Sequence, residues 1–100
     1  MTFVEPRFDA VVHAPPRLQI CGLLAAADSM EFAAVRDTVG VSDSVLSKHV
    51  KQLEDAGYVK VGKATIASRH RTSLSLTRAG REAFAAHVAE LRRITSALPD

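Results

Sequence analysis

Between Val41 and Gly57 the chain reads VSDSVLSKHVKQLEDAG, and its apolar residues fall on one stripe. Successive helical residues lie about 100° apart. This gathers Leu46, Val50 and Leu53 on one side and turns Ser44, Lys48, Lys51 and Asp55 to the other, with Ser47 and Gln52 on the flanks. Ser42 is placed to cap the helix, Asp43 suits its first turn, and the helix runs to Ala56 before Gly57 closes it. A helix that served only to pack would not need the hydroxyls, lysines and glutamine of the outer face.

The neighbouring elements follow from the same periodicities. Phe8 to Val12 forms a short amphipathic helix, ended by His13-Ala14-Pro15-Pro16 because a residue before proline is pushed out of the α region. Those prolines start a second helix, Arg17 to Ala27, that buries Leu18, Ile20, Leu23, Leu24 and Ala27. Met30-Glu31-Phe32 is a small edge strand or an extended entry into a third helix, Phe32 to Val39, with Gly40 at its C-cap. Past Gly57, Tyr58–Val61 and Thr72–Leu76 alternate as the strands of a β-hairpin, whose loop of about ten residues carries Lys63 and Arg69-His70-Arg71. Thr77 caps a last helix, Arg78 to about Leu98. On it Phe84, Leu91 and Leu98 recur at heptad spacing, with His87 and Ile94 between them. Such a seam fits packing on another helix, and with no partner left inside the chain it predicts a homodimer.

Composition narrows the class. One hundred residues make a single domain, 1–100, with one core and no room for a separate cofactor domain. Few aromatics among many Ala, Leu and Val residues predict a mainly α protein with a small β-hairpin. The single cysteine, Cys21, sits in an apolar run as an inert core thiol, which suits a reducing cytoplasm. The first residues lack the blocks of a signal peptide, and no run approaches the ~18 apolar residues of a membrane span. A net charge of +2 conceals an asymmetry: residues 48–81 hold eight Lys or Arg and two acids, while the remainder is net acidic. A basic block in an otherwise acidic domain points to a polyanion, whose counterions are released on binding. With so few aromatics to stack single-stranded bases, duplex DNA fits better.

Helix, Gly40, helix, basic hairpin and final helix is the order of a winged helix-turn-helix. VSDSVLSKHVKQLEDAGYVKV resembles the recognition-helix signature of the small winged-helix transcriptional regulators of the MarR and ArsR groups, and RLQICGLLAAADSMEFAAVRDTVGV resembles the two helices before it. RHRTSLSLTRAGREAF is similar to the return of the wing through a "TxAGR" start to the last helix, so the likeness spans about residues 14 to 95. The resemblance is strongest to compact MarR-like regulators. It implies that Ser42, Asp43, Ser44, Ser47 and Lys48 face the groove, that Lys51 and Gln52 reach the backbone, and that Lys63, Arg69, His70 and Arg71 form the basic wing. It also implies that the first and fifth helices extend into a dimer interface, for which the candidates are Phe8, Val12, Phe84, His87, Val88, Leu91, Ile94 and Leu98. The paired cysteines of ArsR-type metal sensors are missing, so that route to a metal is excluded.

Other roles stay open at this level. Asp43 either accepts from a cytosine amino group or stabilises the helix start. His49 is expected between helices, and His87 packed or in the dimer interface rather than on a metal. No metal, cofactor or catalytic constellation is expected: the serines near His49 serve capping and surface, and no phosphate-cradling glycine loop is present. The expected partners are a duplex operator with an imperfect inverted repeat, a second copy of the chain and a possible small-molecule effector, and the expected role is repression. The competing class is a winged-helix protein-interaction module without DNA binding, which would lack a steep salt dependence for duplex DNA.

Overall fold

The computed structural model describes residues 3–96. Its elements run α1 (Ala10–His13), α2 (Pro15–Ala26), β1 (Met30–Glu31), α3 (Phe32–Val39), α4 (Asp43–Asp55), β2 (Val59–Ile66), β3 (Arg69–Leu76) and α5 (Arg78–Ser96). The strands form an antiparallel sheet in the order β1-β3-β2. Ile20, Leu24, Val35, Leu46, Leu53 and Leu74 make the fully buried centre, to which each of α2, α3, α4 and β3 contributes. Burial of that centre supplies the main driving force for folding.

Local signals set the middle of the chain as expected. Gly40 ends α3 at φ 78° and returns its N–H to the Arg36 carbonyl. The Ser42 hydroxyl accepts from the Val45 N–H at 3.2 Å. Gly57, at φ 80°, turns the chain out of α4. Cys21 is fully buried, and burial pushes its thiol up to about 11. It lies in the core, as expected.

Three boundaries differ. The first helix starts after Phe8, because Asp9 caps it by accepting from the Val11 and Val12 amides at 2.9 and 3.1 Å. The second begins at Pro15, inside its proline pair. In the hairpin, both strands run eight residues and meet at a two-residue turn, Ala67-Ser68, with Ile66 opposite Arg69. The expected ten-residue loop is therefore replaced by paired strands. Alternation is lost there because residues 63–70 are exposed on both faces. Ala67 and Ser68 hold φ of 51° and 66°, a conformation that asparagine and glycine tolerate far better than β-carbon-bearing residues. An Ala67→Asn/Ser68→Gly double variant should gain about 1 kcal/mol of stability, read as a higher urea midpoint.

The largest departure concerns α5. Its first half finds partners inside the chain: Phe84 lies against Gly22 of α2, and His87 is fully buried against α1. The Asp9 N–H donates to His87 Nδ1 at 2.9 Å, which leaves the proton of the neutral ring on Nε2, 3.0 Å from His13 Nδ1. Phe8 lies against both rings, with centroids at 4.8 and 4.9 Å. Val12 is likewise wholly buried. Val12 and His87 thus have no surface to offer a second chain, which corrects their expected place in a dimer interface. Phe84, Val88 and Leu91 are half-buried, Phe8 and Ile94 are exposed, and Leu98 lies outside the described residues.

Candidate nucleic-acid interface

The amphipathic pattern of α4 fixes how it is presented. Leu46 and Leu53 are fully buried and Val50 nearly so, which turns Ser44, Ser47, Lys48, Lys51 and Gln52 to the surface. Ser44 and Ser42 hydroxyls lie 3.2 Å apart at the N-terminus. The helix dipole makes this end electropositive, a natural place for an anion or an acceptor-rich base edge.

The acid at this end is already engaged. Asp43 accepts from Arg36 of α3 at 2.8 Å, and Arg36 also holds Asp37 at 3.0 Å. Both carboxylates raise the Arg36 pKa further. Asp43 therefore clamps α3 to the first turn of α4, and its repulsion of a phosphate is offset by the guanidinium. Arg36 is a residue that sequence reasoning missed, since spacing does not reveal a pair that forms across the turn.

The flank facing α2 is ordered by Arg17, also missed. Its guanidinium donates to the Val11 carbonyl at 2.5 Å, lies 3.3 Å from His49 Nδ1 and donates to Gln52 Oε1. His49 is half-buried between helices as expected, and burial, followed by the nearby Arg17 and Lys48, lowers its pKa. Gln52 remains exposed, but its amide oxygen is committed to Arg17.

On the opposite flank a groove of about 440 Å³ runs between α4 and the sheet. Asp43, Ser47 and Lys51 line it from the helix and Lys63 and Thr72 from the hairpin, so the predicted helix and wing residues are brought together. The basic residues differ in availability. Lys51 pairs with Asp55 at 2.9 Å and Arg71 with Glu31 at 3.0 Å. Arg71 is in β3 and reaches back to β1, so it is not the wing tip that the expected loop would have made it. His70 is also in β3, with Nδ1 3.3 Å from the Thr65 hydroxyl on the paired strand. Among the described residues, Lys48, Lys63 and Arg69 have no carboxylate within 4.0 Å. Exposed ion pairs contribute little and exchange readily, so Lys51 and Arg71 stay accessible to a phosphate at a modest cost.

A family model described as a winged helix DNA-binding domain matches residues 17–95. The chain belongs to that family. An uncharacterised protein of Methanocaldococcus jannaschii is 31% identical over 88 residues, which are 88% of this chain and 91% of that protein. The transcriptional regulator homologue of Pyrococcus horikoshii superposes with a TM-score of 0.81 at 27% identity, over 86% of this chain and 85% of that one. A MarR family transcriptional regulator from Silicibacter pomeroyi gives 0.67 at 21% identity, over 82% of this chain and 54% of its own length.

In this winged-helix DNA-binding domain α4 takes the place of the recognition helix, and the β2–β3 hairpin is the wing. The "TRAG" start of α5 has a structural basis. The Thr77 N–H donates to the Tyr58 carbonyl at 3.0 Å, its hydroxyl donates to the Gly57 carbonyl at 2.6 Å, and Thr77 Oγ1 accepts from the Gly80 N–H at 3.0 Å. One threonine thereby ties the end of the recognition helix to the start of α5. Among the described residues no helix is long and apolar enough to cross a membrane, and no cluster of three or more His, Cys, Asp or Glu that would hold a metal is found.

Proposed function

We propose that the chain is a sequence-specific, duplex-DNA-binding transcriptional regulator that acts as a homodimer and represses by occlusion. The observation that carries this is the set of exposed cations that have no carboxylate partner among the described residues, Lys48 on the recognition helix and Lys63 and Arg69 on the wing, with Lys63 beside Ser47 and Lys51 in one groove. Ser44 and Lys48 contact base edges, and the wing lies along the adjacent backbone. Repression is favoured because blocking polymerase needs no further surface.

In the dimer, Phe8, Val88, Leu91 and Ile94 face the second copy. An apolar groove of about 430 Å³ lined by Val4, Phe84, Ala85 and Val88 between the N-terminal segment, α2 and α5 continues that face. An effector would occupy the same region, and thermal-shift screening of small metabolites tests for one. Two recognition helices would enter major grooves about 34 Å apart, on an inverted repeat.

Fluorescence anisotropy against the DNA upstream of the protein's own gene, with a scrambled duplex and varied salt, tests the proposal. A preference for the upstream duplex with a steep salt slope is expected. Lys48→Ala should weaken binding about tenfold, and loss of a phosphate contact from the wing should lower the salt slope by about one unit. Arg71→Ala should act in the same direction but less, because Glu31 already holds that side chain. Full affinity in both variants would overturn the interface, and no duplex binding at any salt would favour a protein partner.

A further inference from the structure

Val45 is the exception to the buried apolar stripe of α4. The other apolar residues of α4 are all buried, whereas Val45, in the first helical turn, is 41% exposed. It follows Ser44 directly and lies one turn before Lys48 and His49. Valine is a poorer helix former than alanine or the long polar residues used elsewhere on this face, because its branched β-carbon loses rotamer freedom. On a helix end otherwise lined by the hydroxyls of Ser42 and Ser44 and the Arg36-paired carboxylate of Asp43, the exposed part of Val45 buries no apolar surface within the chain.

We infer that Val45 is a specificity-determining residue that recognises thymine through the C5 methyl group. This rests on the proposed docking of α4 in the major groove. In that groove the four base pairs present donors and acceptors, and the one apolar group on a base edge is the thymine methyl. An exposed aliphatic side chain beside Ser44 and Lys48 would strand polar base-edge groups without a partner anywhere else in the groove, but against that methyl it removes apolar surface from water on both sides. The stiffness that makes valine a weak helix former also holds its two methyls in essentially one rotamer, so little freedom is lost on contact. Ser44 and Lys48 then read the hydrogen-bonding edges of the neighbouring bases.

The test starts from duplexes selected by the wild-type protein from a random pool, with the thymines of each half-site replaced singly by uracil, which lacks only the methyl. At one thymine per half-site the replacement should weaken binding about fourfold, the effect of one methyl group withdrawn from contact. Val45→Ala should bind the thymine duplex more weakly than wild type and lose the distinction between thymine and uracil at that position. Val45 is exposed, so the variant should fold, and an unchanged thermal midpoint checks this. Tight wild-type binding with equal affinity for thymine and uracil at every position overturns the inference while leaving DNA recognition intact. So does a Val45→Ala variant that discriminates as well as wild type. Failure to select any duplex overturns the DNA-binding proposal itself, and this inference with it.

Discussion

Gly80→Ala is expected to destabilise the protein by about 3 kcal/mol, although glycine to alanine in an ordinary helix interior gains about 1 kcal/mol. The sign reverses because of what lies over the helix at this point. A β-carbon at Gly80 would stand 2.1 Å from the Tyr58 carbonyl oxygen, 2.9 Å from its carbon and 3.0 Å from its Cα. All three are backbone atoms, so no side chain can swing aside. Relief requires α5 to move off the turn between the recognition helix and the wing, which would break the Thr77 hydrogen bonds to Gly57 and Tyr58. Gly22→Ala is the matched control, since its new methyl would meet Phe84 at 3.8 Å in ordinary contact, and it should be neutral or stabilising. Urea denaturation of the two variants decides the matter. Wild-type stability in Gly80→Ala would mean that α5 does not sit on Tyr58 as described.

The second large effect is expected at Asp9. One carboxylate oxygen caps α1, and the other accepts from the Tyr58 hydroxyl at 2.6 Å. Loss of the cap costs about 1 kcal/mol, and loss of a hydrogen bond to a charged group about 2 kcal/mol. Asp9→Ala should therefore cost about 3 kcal/mol. Burial opposes ionisation of Asp9, but the Tyr58 hydroxyl and the two amides together outweigh it and hold the carboxyl below its ordinary 3.8. A lowered carboxyl pKa means stability that is present above 3.8 and lost as pH falls through the folded value, so the variant should lose part of the wild type's acid sensitivity in that range.

His87 adds a second acid limb at higher pH. Burial first, then His13, lower its pKa below the ordinary 6.5, against the opposing pull of Asp9 and Glu90. The folded state binds this proton less readily than the unfolded chain, so its contribution is full above 6.5 and declines as pH falls below it. The geometry gives the reason. A proton on Nδ1 would face the Asp9 N–H that this atom now accepts. His87→Asn should flatten the urea midpoint between pH 6.5 and 5, leaving the similar but separate contribution of half-buried His49. An unchanged pH profile would count against the buried neutral ring.

The helix-turn-helix was legible because its signals are local. The Leu46, Val50 and Leu53 stripe, the Ser42 cap and the glycines at 40 and 57 each act within a few residues, and each formed as read. The wing was legible only near the core. From Lys63 to His70 both faces meet solvent, so nothing in the sequence preserves a period of two, and Arg69-His70-Arg71 passed for a loop. On the candidate interface, the outward residues of α4 could be read from periodicity, but Arg36 and Arg17 could not.

What the sequence by itself determined is therefore the set of elements, the inner face of each helix and the basic character of the region from Lys48 to Arg81. Those properties depend on neighbours within a turn or a strand pair. Only the tertiary structure decided which surface each inner face meets. The seam of α5 turned to α1 and α2, burying His87 instead of offering it to a second chain. Glu31 captured Arg71 across 40 residues, and Asp9 met Tyr58 across 49. Periodicity states that a side is buried, and a charge states that a partner is favourable. Neither identifies the partner, because that choice is made when distant elements compete to cover the same core.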